Sequence, residues 1–153
     1  MEIKSQEQNV LNFCKLSKNA CMPKRATDGS AGLDLCACIE KEIVLEPGER
    51  KLIPTGIAIS LPSCEYAAFL FARSGLGVKH GITLSNGVGV IDSDYRGEIC
   101  AGLCNIGNEP YTIKPNERIA QMVIMKVEKF PLVEVKELDS TQRGAAGFGS
   151  TGK

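Results

Sequence analysis

A carboxylate, two glycines and a tyrosine occur together in the segment LSNGVGVIDSDYRGE, residues 84–98. Gly87 and Gly89 alternate with valines in a strand pattern, and because glycine weakens strands this spacing indicates a ligand held close to the backbone. A nucleobase would suit such a surface, since main-chain N–H and C=O groups can imitate a pairing partner. Asp92 ends the apolar strand near Tyr95 and could orient and deprotonate a water molecule. The alternative is a hairpin with an ordinary turn.

A cation and a hydroxyl precede a glycine in RSGLGVKHG, residues 73–81. Arg73, Ser74 and the exposed N–H groups at the start of a helical turn would suit a phosphate. An ordinary helix cap explains the same residues equally well. His80 is the only histidine of the chain, and without Cys or His partners it is interpreted as structural.

Two further polar side chains interrupt apolar strand patterns. Asp34 lies in SAGLDLCA, where it could bind a hard cation directly or through water, or could be a solvated strand position. Gln121 lies in ERIAQMVI, where burying its amide without a partner would cost about 1–3 kcal/mol. That amide could position a water molecule or bond to a neighbouring strand.

The segment RGAAGFGSTGK, residues 143–153, matches the beginning of a phosphate-binding loop from Gly147 onward. We do not expect a Walker A loop, because no Ser or Thr follows Lys153 to bind magnesium. The glycine content also disfavours independent order, since fixing each residue costs about 1–2 kcal/mol. The segment is therefore either a frayed tail or a lid that orders over a ligand, with Arg143 supplying charge and Phe148 a stacking surface.

Composition limits the classes of partner. The 153 residues suggest one domain, and 18 basic against 18 acidic residues leave no long-range field that would attract nucleic acid or a membrane. No apolar run approaches the length of a membrane span, and the N-terminal MEIKSQEQNV is too polar for a signal peptide. Seven cysteines without zinc-finger spacing predict free, mostly buried thiols in a reducing intracellular compartment, the cytoplasm or the nucleus. In a strand, Cys100 and Cys104 would share one face and act as small apolar residues.

Short apolar segments recur about every ten residues and predict an all-β fold, which could be a sandwich, a jelly roll or a barrel. One helical turn is predicted at 76–81, while a helix is an alternative for 118–130 and for the segment EQNVLNFCKL. Apolar density falls from Asp139 onward, which places the end of the core near Leu138. The predicted strands are 33–39, 41–46, 50–54, 56–62, 65–72, 87–92, 97–107, 111–115 and 118–130.

The candidate-site segments occur in a fixed order from about residue 31 to residue 152. That order is AGLDL, RSGLGVKHG, GVGVIDSDYRGE, ERIAQ and RGAAGFGSTG. Together they resemble the five motifs of the trimeric dUTPases. The resemblance implies a distorted jelly-roll β-barrel with at most one short helix, in a homotrimer with active sites at subunit interfaces and exchanged C-terminal arms. In this chain, residues 1–138 would form the barrel core and residues 139–153 the flexible arm that closes over the site.

The resemblance also implies the reaction. Such an enzyme uses Mg²⁺ to hydrolyse dUTP to dUMP and pyrophosphate, which keeps uracil out of DNA and supplies dUMP for thymidylate synthesis. Asp92 would activate the attacking water with help from Gln121, and Asp34 would hold the metal through water. The implied phosphate-binding residues are Arg73, Ser74, Gly75, Gln121, Arg143, Gly149, Ser150 and Thr151. The implied uracil- and deoxyribose-binding residues are Asn86, Gly87, Val88, Gly89, Val90, Asp92, Tyr95 and Phe148.

Some positions depart from the family pattern without removing a catalytic group. Ala72 replaces a common Pro, Leu33 a frequent Tyr, and Asn116-Glu117 the usual Gly-Asp. Ala146 stands where many members have Gly, so the lid would close less readily if that position needs a positive φ. Three alternatives stay open: a dCTP deaminase of the same fold, a non-catalytic binding or signalling relative, and a purely structural jelly roll.

Overall fold

Antiparallel strands dominate the architecture of the computed structural model, which describes residues 10–147. Within that range the chain forms eleven strands and one short helix, which confirms the prediction of an all-β fold with at most one short helix. In chain order they are β1 (Asn12–Lys15), β2 (Leu33–Cys36), β3 (Ile43–Leu45), β4 (Arg50–Pro54), β5 (Ile57–Ser60), β6 (Tyr66–Phe71), α1 (Ser74–His80), β7 (Ile82–Leu84), β8 (Gly89–Ile91), β9 (Cys100–Asn105), β10 (Tyr111–Ile113) and β11 (Arg118–Lys126).

The strands form two main sheets and two smaller pairs. One sheet has the order β2-β11-β6-β8 and the other the order β4-β9-β7, while β1 pairs with β5 and β10 with β3. Every pairing is antiparallel. The four-stranded sheet matters most for function, because it carries or adjoins four of the five sequence motifs.

Alternating burial along the strands builds one core. In β9, Ala101, Leu103 and Asn105 point inward, whereas Cys100 and Cys104 share the opposite, half-buried face. The buried amide of Asn105 donates to the carbonyls of Leu45 and Glu109 at 2.9 and 2.8 Å, so its burial leaves no donor unpaired. The largest enclosed apolar side chains are Leu35, Leu45, Ile53, Ile57, Ile82, Ile99, Leu103, Ile113, Ile119 and Met122.

Helix α1 begins two residues earlier than predicted and ends at His80, because Gly81 can adopt the backbone conformation that terminates it. Gly81 has a φ of 69°, in the left-handed region, and its N–H donates to the carbonyl of Gly77. A side chain at position 81 would collide with the backbone of Gly107, 2.4 Å from the ideal Cβ position, so only glycine fits there.

The strand predicted at 118–130 is confirmed as β11, which ends at Lys126 and pairs its β-branched residues with β6. The helical alternative for that segment is excluded, and two other local features differ from the prediction. The segment EQNVLNFCKL contributes strand β1, which is ordered by pairing with β5. Strand β7 was not predicted, because its three residues directly follow the helix and offer too short a pattern.

The chain beyond β11 forms no helix or strand up to residue 147, and its large apolar side chains are exposed, Leu132 fully and Leu138 by 86%. The boundary at residue 138 stays a prediction. No helix in the described part of the chain is long and apolar enough to cross a membrane.

All seven cysteines fall within the described residues and are free, as predicted, but the expectation that most are buried is wrong in degree. Cys14 and Cys64 are exposed and the other five are half-buried. Burial raises the pKa of the Cys36 thiol to about 11, with the neighbouring Cys21 thiol adding to the effect. Burial also raises the pKa of Cys100, so both thiols stay protonated and weakly nucleophilic at neutral pH.

Candidate active site

The hairpin around β8 opens onto a cavity of about 380 Å³. Five residues predicted to bind uracil, deoxyribose or the attacking water line it, while Gly87 and Val88 lie in the adjoining turn. The other lining residues come from β4, β6, β8, the start of β9 and the segment that leads into it. The complete lining is Leu52, Leu70, Asn86, Gly89, Val90, Ile91, Asp92, Tyr95, Glu98, Ile99 and Cys100. We call this the nucleoside cavity, after the ligand that the sequence predicts for these residues.

Backbone conformation and local packing explain why Gly87 and Gly89 are glycines. Gly87 has a φ of 73°, which favours glycine, and no neighbouring atom lies within 4 Å of its ideal Cβ position. Gly89 is buried against Leu70, whose Cβ would stand 3.0 Å from a side chain at position 89. The spacing that predicted a ligand against the backbone therefore reflects a tight turn and close strand packing as well as an open cavity.

Asp92 begins a tightly bonded turn. The N–H of Tyr95 donates to the carbonyl of Asp92 at 3.2 Å, and the guanidinium of Arg96 donates to the carbonyls of Ser93 and Tyr95 at 2.8 and 2.9 Å. The Asp92 side chain is exposed and forms no hydrogen bond or ion pair with any residue between 10 and 147. The hydrogen bonds of the turn thus fix the Asp92 backbone, while its carboxylate is accessible to water and could accept a proton from it.

A second cavity of about 170 Å³ lies where β6 leads into α1. It is lined by Ala26, Ser30, Gly32, Asp34, Arg73, Ser74 and Gln121. Both oxygens of Asp34 accept charged donors: Oδ1 from Nε of Arg73 at 3.1 Å and Oδ2 from Nη1 of Arg118 at 3.0 Å. Nη1 of Arg73 also donates to the Arg118 carbonyl at 3.2 Å. We call this the phosphate cavity, after the ligand that the sequence predicts for Arg73 and Ser74.

The amide of Gln121 is hydrogen-bonded through its nitrogen and lies at the wall of the phosphate cavity. Its nitrogen donates to the carbonyl of Ala72 at 3.0 Å, which bears out the alternative of a bond to the neighbouring strand. Its Oε1 lies beside Gly32, 2.7 Å from where a Cβ would be. A glycine at position 32 therefore leaves room for the amide oxygen at the cavity wall.

The start of α1 is not capped by a side chain, so the ordinary helix-cap interpretation is wrong. Arg73 occupies the N-cap position with extended backbone, and its guanidinium bonds to Asp34 instead. Ser74 lines the phosphate cavity, and Gly75 follows it without being part of the lining. His80 packs its ring 4.9 Å from that of Tyr111 and lines neither cavity, in agreement with a structural role.

Sheet register separates the two predicted catalytic residues. Ile91, next to Asp92, pairs with Ala68 on β6, whereas Gln121 pairs with Phe71. Asp92, one residue further on, is offset from Gln121 by four residues along the strands and two strand spacings across the sheet, which amount to roughly 16 Å. Within one chain, Asp92 and Gln121 therefore cannot act on the same phosphorus atom.

The described part of the C-terminal arm lies apart from both cavities. Arg143 is exposed, and its Nε donates to the carbonyl of Ala146 at 3.0 Å in a local turn. Ala146 does not have a positive φ, whereas Gly144 has a φ of 53°, so the alanine is unstrained in this arrangement. Phe148, Gly149, Ser150 and Thr151 lie outside the described residues.

Sequence reasoning missed several residues of both cavities. Arg118 belongs to the quoted ERIAQ motif, but its pairing with Asp34, 84 residues away in the chain, has no local signal. Ala26, Ser30 and Gly32 come from the loop before β2, which Arg25 closes by donating to the carbonyls of Ser30 and Ala31 at 2.7 and 2.6 Å. The run of small residues in that loop is the one signal that could have indicated it.

Comparisons with known proteins address the family directly. The dUTPase family model matches residues 18–152. A deoxyuridine 5'-triphosphate nucleotidohydrolase of Neisseria gonorrhoeae is 57% identical over 152 residues, which is 99% of this chain and 96% of the relative. The corresponding protein of Bordetella pertussis is 52% identical over 132 residues, 86% of this chain and 89% of the relative.

Solved structures agree. The dUTPase of Staphylococcus bacteriophage 80alpha with dUpNHpp has a TM-score of 0.83 at 32% identity, covering 95% of this chain and all of that one. A mutant dUTPase from phage phi11 of S. aureus, described with a structural Mg(II) ion, has a TM-score of 0.76 at 28% identity over 84% of this chain and 98% of that one. The barrel is the distorted jelly roll that the sequence predicted. Because the matches extend over nearly the whole chain and include its site segments, the protein belongs to the dUTPase family.

Proposed function

We propose that this enzyme hydrolyses dUTP to dUMP and pyrophosphate by attack of a water molecule that Asp92 deprotonates. One observation carries the proposal: an exposed carboxylate, unpaired within residues 10–147, stands at the edge of a nucleoside-sized cavity. The water oxygen forms a bond to the α-phosphorus as the bond to the bridging oxygen breaks. Pyrophosphate leaves with that oxygen, and the proton taken by Asp92 passes to solvent.

The nucleoside cavity selects the pyrimidine and the sugar. Main-chain groups of residues 86–90 bind the uracil edge, and the packed hairpin leaves no room for the methyl group of thymine. The close contact of Gly89 with Leu70 supports this role, because it limits how far the strand can withdraw. Tyr95 packs under the deoxyribose and rejects a 2′-hydroxyl.

The phosphate cavity receives the triphosphate. Arg73, Ser74 and Gly75 bind phosphate oxygens, and Gln121 helps to place the water. The positive charge of the two arginines on Asp34 supports an anion site here, since one carboxylate balances only one of them.

The donor set also fits magnesium held mainly by phosphates and water. Asp34 offers a single carboxylate whose two oxygens already accept arginine N–H groups, and among the described residues no three His, Cys, Asp or Glu side chains cluster as metal ligands. Mg²⁺ commonly keeps several waters and uses one or two carboxylates with substrate phosphates, so Asp34 would hold it through water. When bound, the metal offsets the charge of the triphosphate.

The complete site forms between subunits of a homotrimer. The separation of roughly 16 Å between Asp92 and Gln121 supports this arrangement, because a second chain must bring its phosphate cavity to the nucleoside cavity of the first. Exposed apolar side chains between β11 and residue 139 support packing of this segment on a neighbouring chain, which would carry the arm that follows to the neighbour's site. From the arm, Arg143 binds the γ-phosphate and Phe148 stacks on uracil. Gly149, Ser150 and Thr151 contact the phosphates as the arm covers the site. Free thiols support a reducing intracellular location.

A substrate panel tests the proposal. The protein is incubated with Mg²⁺ and separately with dUTP, dTTP, dCTP and UTP, and released pyrophosphate and ammonia are measured. We expect pyrophosphate from dUTP far above the other three and no ammonia. Equal release from dTTP and dUTP contradicts the recognition of uracil, ammonia from dCTP indicates a deaminase, and no product from any substrate indicates a binding protein.

A further inference from the structure

We propose that Glu98 is a positioning residue for sugar selection: its carboxylate anchors the segment that holds Tyr95, and so determines how strictly the site excludes ribonucleotides. The inference rests on the proposed role of Tyr95 under the deoxyribose. It adds a residue that touches neither the reacting phosphorus nor the attacking water.

The Tyr95 ring is held from one side by the two residues that follow Arg96. Its Oη donates to the carbonyl of Glu98 at 2.9 Å. A side chain at position 97 would stand 2.4 Å from that Oη and 2.6 Å from Cζ, so the ring lies directly on the backbone of Gly97. The ring is otherwise accessible, with 46% of Tyr95 exposed, so its orientation depends on where residues 97–98 lie.

The Glu98 side chain attaches that segment to the junction of β4 and β5. Its Oε1 accepts the N–H of Gly56 at 2.7 Å. This junction cannot shift easily, because Gly56 is buried with a φ of 68° and an added Cβ would stand 2.7 Å from the Ala20 Cβ and 2.8 Å from the Cys38 Sγ. The carboxylate therefore connects an exposed, substrate-facing turn to an immobile part of the core.

The position of Glu98 in the wall supports the same role. Glu98 lines the nucleoside cavity and also a further cavity of about 280 Å³, separate from the phosphate cavity. Leu16, Asn19 and Glu40 help to form this further cavity. Truncating the side chain opens the wall that the two cavities share. It also leaves the buried Gly56 N–H without its acceptor, so the segment under Tyr95 gains freedom to move.

Paired variants in the full-length enzyme test the inference. The measured quantity is the ratio of kcat/KM for dUTP to kcat/KM for UTP. In Glu98→Ala this ratio is expected to fall by about tenfold, mostly through a higher KM for dUTP. In Glu98→Gln it is expected to stay within about twofold of wild type, because the amide oxygen can still accept the Gly56 N–H. The matched control is Glu49→Ala, whose carboxylate accepts the N–H of Glu46 at 2.9 Å remote from both cavities.

A further variant keeps the inference testable if Glu98→Ala does not fold. Tyr95→Phe removes only the Oη bond from an exposed ring, and it should lower the same ratio in the same direction. Combining it with Glu98→Ala should add little, because both changes release one clamp.

Three outcomes overturn the inference. A lower melting temperature of Glu98→Ala with an unchanged substrate ratio means that the carboxylate is merely structural. An equal loss in Glu98→Gln means that charge, rather than the hydrogen bond, matters. An unchanged ratio in Tyr95→Phe means that the clamp does not act on the sugar. A wild-type protein inactive on dUTP would instead refute the proposed function itself.

Discussion

The nucleoside cavity and the phosphate cavity share no lining residue and are built in different ways. The first owes most of its candidate substrate contacts to one continuous segment, residues 86–98, whose turn is closed by its own backbone and by Arg96. The second collects side chains from β2, β11, the loop before β2 and the start of α1. A continuous segment can be recognised from its own sequence, whereas a site gathered by strand pairing depends on register.

The two central carboxylates differ in the same way. Asp34 is 17% exposed and engaged by two guanidinium groups, so it acts as a fixed acceptor. Asp92 is exposed and has no side-chain partner in the described range, so it can take a proton from water. In the proposed mechanism one residue type would therefore serve two roles, and the environment decides which.

The largest expected effect comes from removing the free carboxylate. Asp92→Asn should lower kcat by about 10²–10⁴-fold, because the amide cannot deprotonate water. The melting temperature should not change, since the side chain is exposed. Asp94→Asn, in the same turn and also exposed, is the matched control and should keep its activity. A kcat within tenfold of wild type in Asp92→Asn would contradict the proposed difference between the two carboxylates.

Deleting most of the C-terminal arm tests whether the two cavities support activity without it. Deleting residues 143–153 should leave the fold intact, because the last strand ends at Lys126, and should lower activity by more than about tenfold. Circular dichroism and pyrophosphate release measure the two effects. Lys136→Ala, an exposed change just before the arm, serves as the control. Normal turnover of dUTP by the truncated protein would show that the arm is not a lid.

Mixed trimers test whether the two cavities of one site come from different chains. Asp92→Asn and Arg73→Ala should each be inactive alone, but co-refolding them in equal amounts should restore about one quarter of wild-type activity, because one site in four receives both native residues. Mixing Arg73→Ala with Gln121→Ala should restore nothing, since both residues line the phosphate cavity of the same chain. Recovery in the second mixture, or none in the first, would refute a shared site.

The smallest expected effect concerns the fit of the amide in the phosphate cavity. In Gly32→Ala the new Cβ would stand 2.7 Å from Oε1 and 3.2 Å from Cβ of Gln121, so the amide must move. Because the end of that side chain is flexible, kcat should fall only by about two- to fivefold. Gly29→Ala, which meets no atom within 4 Å, should behave as wild type. Equal kinetics of the two variants would remove Gln121 from the placement of the water.

Prediction from sequence succeeded where the signal is local. The segment RKLIP was predicted as a strand at 50–54 and forms β4 over the same residues. The turn after β8 and the start of α1 were recognised as candidate sites because acid, cation, hydroxyl and glycine occur within a few residues. Strands β1 and β7 were missed, since the first is exposed and ordered only by its partner and the second has three residues.

By itself the sequence determined that the chain is all-β, that it carries the five dUTPase segments in order, and which residues around Asp92 and Arg73 could do chemistry, because residue type, spacing and alternation are properties of neighbours along the chain. Only the tertiary structure decided that Arg118 joins Arg73 on Asp34, that Glu98 bonds to Gly56, and that Asp92 and Gln121 lie far apart on one sheet. The physical reason is strand register. Pairing brings together residues dozens of positions apart, and a shift of one residue would turn the strand residues Asp34, Arg118 and Gln121 to the other face.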